Sequence, residues 1–161
     1  MELGGGGGKK KKETKNNILY ILFFVDNVEM NSTFLLFGKM LYIKEMKKND
    51  LRHYYYNVMR LLSDDDKIIV HNMIHSMDYS SHIDNLHIFY IVEDIDAYIV
   101  VGIGKVAIKK YSSTTCVFGN IQYLMFHTDY LSVELREKLL EYIRFDCLFK
   151  KKFVRLLDDR S

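Results

Sequence analysis

Proline and tryptophan are absent from this 161-residue chain, and it contains only two cysteines, Cys116 and Cys147. Without proline there is no polyproline linker or Pro-rich recognition segment. Two cysteines cannot build a disulfide framework, a CxxC pair or a thiolate zinc site by themselves, which points to a reducing, cytoplasmic setting. A membrane-spanning helix needs about 20 apolar residues. The run Ile18–Val25 stops far short of that at Asp26, and no membrane partner is expected. The lysines ahead of it imitate a signal peptide only in part, because no small-residue cleavage site follows. A one-signed charge is missing as well. Residues 1–16 hold five lysines against two glutamates, a net of +3, so the other residues carry −1 of the total of +2. That excludes a domain-wide basic field for nucleic acid, and the Lys run reads as a solubilising tail.

What is present is a globular composition: 48% hydrophobic and 27% charged residues, with 12 Tyr and 10 Phe. The length suits one domain with a real core. Residues 1–16, with Gly4–Gly8 and Lys9–Lys12, are expected to be a disordered head. Residues 17–38 form an apolar extension, and 39–161 the domain. Within it, Leu41–Met46 reads as a strand. Asp50 is expected to cap a helix to about Leu62, burying Leu51, Tyr55, Val58, Met59 and Leu62. Ser63–Asp66 breaks it and caps a second helix carrying Ile68, Ile69, Asn72, Met73 and Ser76. Ile88–Val92 and Tyr98–Ile108 form an antiparallel hairpin around a turn at Glu93–Asp96. Val117–His127 is the next strand. Ser132 then caps a helix to about Phe149 that buries Leu135, Leu139, Leu140 and Ile143, with Glu134 and Glu137 near its start. Phe153–Leu157 closes the order as a parallel strand if the helix is a crossover. The class is therefore α/β (α+β), a mixed, mainly antiparallel sheet with flanking helices in the order β-α-α-β-β-β-α-β. There is no internal repeat and no second domain.

That order is the first two-thirds of the GNAT fold, and several local sequences resemble glucosamine-6-phosphate N-acetyltransferases. Tyr42-Ile-Lys-Glu-Met-Lys-Lys-Asn-Asp-Leu51 is similar to that family's opening segment. Phe89-Tyr-Ile-Val-Glu-Asp94 with Ile99-Val-Val-Gly102 is similar to its central hairpin. Gly119-Asn-Ile-Gln-Tyr-Leu-Met-Phe126 lies where the family has G-H-I-E-D-V-V-V. Tyr130 and Lys138-Leu-Leu140 bracket its phosphate loop, and Phe153-Val-Arg-Leu-Leu-Asp158 resembles its closing strand. The match covers about residues 39–159.

The resemblance implies acetyl-CoA as co-substrate, held beside the strand before the crossover helix, and no metal. Leu124, Met125 and Phe126 would contact the pantetheine arm and thioester. Leu131, Ser132, Val133, Glu134, Leu135 and Arg136 would hold the pyrophosphate at the helix N-terminus. Gln122 and Tyr123 would face the amino-sugar phosphate. The acceptor amine attacks the thioester directly, so the site orients it and polarises the carbonyl. A homodimer stays open.

Three departures stand out. The family's R-G-x-x-L-G is Leu131-Ser132-Val133-Glu134-Leu135-Arg136 here, without the leading Arg or either glycine. Its H-I-E-D is Asn120-Ile121-Gln122-Tyr123, without the two acids. The chain ends at Ser161, and no residue matches by motif the Tyr that the family uses to protonate the leaving thiolate. The catalytic candidates are Asp158, which matches the aspartate ending the family's fifth strand, and His127, an imidazole at the end of the fourth strand that could act as a base. His71 and His75 share a helical face, but without a Glu between them or a third ligand they do not make a zinc site, and His82 and His87 add none. Cys116 and Cys147 lack the surroundings of a nucleophile. Gly102-Ile-Gly104 is not a dinucleotide fingerprint; glycines inside a strand mark a bulge or close packing. The reading is an N-acetyltransferase acting on the amine of glucosamine 6-phosphate, toward UDP-N-acetylglucosamine. An enzyme with another amine acceptor and a non-catalytic GNAT-fold protein that binds CoA or a partner chain stay open.

Overall fold

A computed structural model describes residues 32–74, 86–110 and 115–158. The chain divides into two units, Met1–Asn31 and Ser32–Ser161, and every described residue belongs to the second. The expected head, the run Ile18–Val25, Ser76, His75 and His82 lie outside the described residues.

Strand β1 (Thr33–Leu36) turns back into β2 (Lys39–Glu45) through Phe37 and Gly38. Both turn residues have positive φ, 53° and 72°, the backbone that a two-residue hairpin of the twist-compatible kind requires. This strand precedes the first one expected from the sequence. Its four residues alternate too briefly to give a period on their own. Helices α1 (Lys48–His53), α2 (Tyr55–Leu61) and α3 (Asp64–Ile74) follow, then β3 (His87–Asp94), β4 (Ile99–Lys110) and β5 (Val117–Phe126). A short 3₁₀ turn (Thr128–Tyr130) leads to α4 (Val133–Phe145), whose last turn widens into a π turn (Asp146–Lys150) before β6 (Arg155–Asp158). The six strands form one sheet in sequence order, antiparallel except for the parallel pair β5–β6.

The sheet is covered on both faces. Toward α4 point Leu41, Ile43, Ile88, Tyr90, Val92, Val106 and Ile121, packed on Leu135, Leu139, Leu140 and Ile143. Toward α1–α3 point Phe89, Ile91, Val100 and Ile103, packed on Met46, Leu51, Tyr54, Val58, Leu62 and Val70. Central β3 is thus apolar on both faces, as a strand between two helical layers must be.

The helical details differ from expectation in physical ways. One continuous helix from Asp50 to Leu62 does not form: Tyr54 leaves helical geometry (φ −113°, ψ 27°) and its hydroxyl reaches Glu93. Asp50 is not the cap but the third helical residue. Its carboxylate accepts the Lys47 N–H at 2.8 Å. In α3 the inward positions are Asp66 and Val70, one turn apart, while Ile68 is 62% exposed. The β3–β4 turn is Ile95–Tyr98, later than expected, because Asp94 still pairs with Leu41 of β2. The Ser63 and Ser132 caps form as expected: Ser63 Oγ accepts from Asp66 N–H at 3.3 Å and Ser132 Oγ from Leu135 N–H at 3.0 Å.

Candidate functional site

Strands β5 and β6 run together for only four pairs, from Phe118↔Arg155 to Ile121↔Asp158. Beyond Ile121, β5 continues for five residues with no strand on that side among the described residues. The change falls at an irregularity: Tyr123 pairs with Lys105 and Ile121 with Val106, so Gln122 is an extra residue, a bulge. Bulges increase the local twist and re-aim the strand. The His127 N–H bonds to the Val101 carbonyl at 2.8 Å, which fixes the phase of the ladder. Residues 123 and 125 therefore direct their N–H and C=O groups to β4. Leu124 and Phe126 direct theirs the other way, into the open side. An extended polar chain can pair with such a row as an added strand would.

The helix that follows supplies the second element. Ser132 Oγ occupies the Leu135 N–H, and the Ser132 carbonyl accepts from Arg136 N–H at 3.1 Å. The N–H groups of Val133 and Glu134 are left without an intrahelical acceptor, as the first turn of any helix demands. Val133 is 74% exposed, so this end is open to solvent and suited to an anion. Leu135 is in the core, whereas Leu131, Glu134 and Arg136 are exposed.

Two buried networks hold these pieces, and neither was singled out from the sequence. Tyr130 donates to Asp94 Oδ2 at 2.7 Å and accepts from Lys39 Nζ at 3.2 Å, while Asp94 Oδ1 accepts the N–H groups of Asp96 and Ala97. This ties the turn between β5 and α4 to the end of β3. Burial, then the bond to Asp94, raises the Tyr130 pKa. On the opposite face, Asp66 is 2% exposed and accepts from Lys105 Nζ at 2.6 Å, Tyr123 OH at 2.6 Å and Ser63 Oγ at 2.9 Å. Burial pushes its pKa up, but the bonds from Lys105, Tyr123 and Ser63 outweigh that and hold it below the usual value. Tyr123 is shifted strongly upward by burial and by Asp66. Asp94 continues the Ile88, Tyr90, Val92 alternation of β3, a signal that could have found the first network, since a carboxylate in a buried row has to be bonded.

The sequence candidates fall at different ends of the open edge. Asp158 is level with Ile121, at the apex where β5 and β6 part, next to exposed Gln122 at the bulge. His127 lies six residues further along, about 20 Å away at the rise of a strand, beside the turn that leads to α4. Its Nδ1 accepts from Asp129 N–H at 3.2 Å. The structure therefore does not bring the two together. Tyr123 turns its hydroxyl into the Asp66 cluster, away from the open edge. His71 Nδ1 lies 3.3 Å from Tyr55 OH, Cys116 is exposed, and burial pushes the Cys147 thiol up to about 12. Among the described residues no group of three His, Cys, Asp or Glu could hold a metal ion, and no helix is long and apolar enough to cross a membrane.

No family model matches the sequence, and no curated protein does. Solved structures do match. One is a ribosomal-protein-alanine N-acetyltransferase from Brucella melitensis biovar Abortus 2308, with TM-score 0.53 and 11% identity, covering 75% of this chain and 80% of that one. Another is a GNAT family acetyltransferase from Staphylococcus aureus, with TM-score 0.54 and 7% identity over 75% and 87% of the two chains. A third is an aminoglycoside N-acetyltransferase in complex with CoA, with TM-score 0.51 and 12% identity over 80% and 82%. The chain has the fold of these GNAT acetyltransferases. Their named acceptors differ, so the fold does not carry the acceptor with it.

Proposed function

We propose that the chain is an acyl-CoA-dependent N-acetyltransferase. The observation that carries this reading is the open half of β5, where the backbone groups of Leu124 and Phe126 meet no strand among the described residues, running toward a helix N-terminus with two N–H groups that lack an intrahelical acceptor. A ligand with a polar extended arm and a pyrophosphate fits that pair of features, and acetyl-CoA would supply the acyl thioester. The N–H groups of Val133 and Glu134 would take the pyrophosphate, with Arg136 as nearby cation. Leu124, Met125 and Phe126 would line the arm.

An arm anchored at α4 runs toward the apex, so the reacting end lies by Gln122 and Asp158. Asp158 is accordingly the favoured base for the acceptor ammonium. His127, at the phosphate end, serves the turn instead. In the finer reading the acceptor is an amino-sugar phosphate such as glucosamine 6-phosphate, supported by the resemblance of the strand and hairpin segments. A homodimer in the cytoplasm belongs to the same reading.

One observation favours a second reading, a GNAT-fold protein that binds CoA or a partner without catalysis. Ser132, Val133 and the exposed carboxylate of Glu134 crowd the helix N-terminus with side chains and negative charge. Calorimetric titration with acetyl-CoA, followed by thiol release with glucosamine 6-phosphate and with other primary amines, separates the readings. Saturable binding with thiol release supports the enzyme. Binding without release from any amine supports the second reading, and no binding at millimolar ligand removes the enzyme.

A further inference from the structure

Gly102 and Gly104 of β4 stand directly across from Phe126 and Leu124 on the face covered by α4. Neither has a positive φ, so backbone conformation does not demand glycine there. Space does. A Cβ on Gly102 would lie 2.8 Å from Phe126 Cδ1, 3.0 Å from its Cε1 and 3.2 Å from Val92 Cγ2. On Gly104 it would lie 2.9 Å from Ile143 Cδ1 and 3.0 Å from Leu124 Cδ2. These pairs are of the non-hydrogen-bonded type, where opposed side chains come closest. Phe126 and Leu124 thus lie back across β4 in a recess that only missing side chains provide, as an aromatic ring covers a glycine in other sheets. Their side chains lean one way across the sheet while their N–H and C=O groups point the other.

We infer that Gly102 and Gly104 are positioning residues that keep the open edge of β5 clear for the arm of an acyl-CoA. A methyl at either glycine displaces its opposite side chain. Ile143 and Leu139 fill the helix side of the Gly104 position and Val92 flanks the Gly102 position, so the displaced Leu124 or Phe126 side chain moves toward the open edge and obstructs it. This inference rests on the N-acetyltransferase reading and assigns it two residues that touch neither substrate.

The test titrates free CoA by calorimetry into the full chain, with thermal unfolding recorded alongside. Gly102→Ala is expected to weaken CoA binding at least tenfold while unfolding stays cooperative. Phe126→Trp, which enlarges the ring from the other side, is expected to give a loss of the same order. The double variant Gly102→Ala/Phe126→Ala is expected to recover at least half of the Gly102→Ala loss on a logarithmic scale, which a merely structural role for Gly102 would not produce. Wild-type affinity in Gly102→Ala, or no recovery in the double variant, overturns the inference while the enzyme reading stands. If Gly102→Ala fails to fold, an unchanged affinity in Phe126→Trp overturns it. No CoA binding by the wild-type chain overturns the parent reading, and this inference with it.

Discussion

Asp66 is the residue on which the α1–α3 side of the candidate site turns. Its buried carboxylate serves Lys105 of β4 and Tyr123 of β5, one residue past the bulge, so it pins the strand where the open edge begins. Breaking a buried pair from one side strands the other charge, at a cost of about 3–5 kcal/mol. Lys105→Met is therefore expected to lower unfolding stability by that order in urea titration, and a change below about 1 kcal/mol would show the pair to be dispensable. The pH dependence has a definite sign. Because the folded-state pKa of Asp66 is lowered, its contribution is present above the unfolded value and lost as pH falls through the folded one. Wild-type stability should drop more steeply below about pH 4 than that of Asp66→Asn, measured by denaturant midpoints between about pH 3 and 6. Equal acid slopes would contradict the assignment. Asp158 is the proposed base: Asp158→Asn should reduce turnover by about 10²–10⁴-fold, the usual contribution of a positioned base, while CoA affinity changes less than about threefold. Little of this was legible in the sequence. Asp64, Asp65 and Asp66 together look like the solvated acidic first turn of a helix, and only the tertiary fold shows that the third faces inward. Asp158 stood out solely through the resemblance, and nothing local separated it from His127.

At the scale of elements, the legible parts are those whose burial repeats. Leu135, Leu139, Leu140 and Ile143 announce α4, and β3, β4 and β5 declare themselves by length and by apolar residues on both faces. Tyr54 interrupts the first helix to reach Glu93 across a sequence separation of 39, which no local pattern encodes. The bulge at Gln122 is equally silent, since it exists only as a mismatch between two strands. Yet its neighbours Gly102 and Gly104 were visible as strand glycines, and close packing is what they turn out to serve. The Ser132 cap was visible too and makes a direct prediction. Ser132→Ala frees the Leu135 N–H and should cost about 1 kcal/mol in denaturant unfolding. A change within experimental error would mean that the start of α4 is held by the Tyr130–Asp94 anchor alone.

At the scale of the molecule, two helical layers enclose a sheet whose fifth strand, on its β6 side and among the described residues, is half paired and half open. The same fold appears in acetyltransferases sharing 7–12% of residues with this chain, so the arrangement is maintained by the pattern of burial rather than by identities. What the pattern cannot encode is the acceptor, which depends on a few side chains around the apex, where Gln122 and Tyr123 stand in place of two acids of the family that the sequence resembles while Asp158 matches it. The claim central to the account is that the open edge of β5 and the N-terminus of α4 form one acyl-CoA site. Calorimetric titration of acetyl-CoA into the full chain tests it most directly. Saturable binding to one site per chain, weakened by Gly102→Ala, is the expected result, and a folded chain that takes up no heat with acetyl-CoA up to millimolar concentration would contradict it.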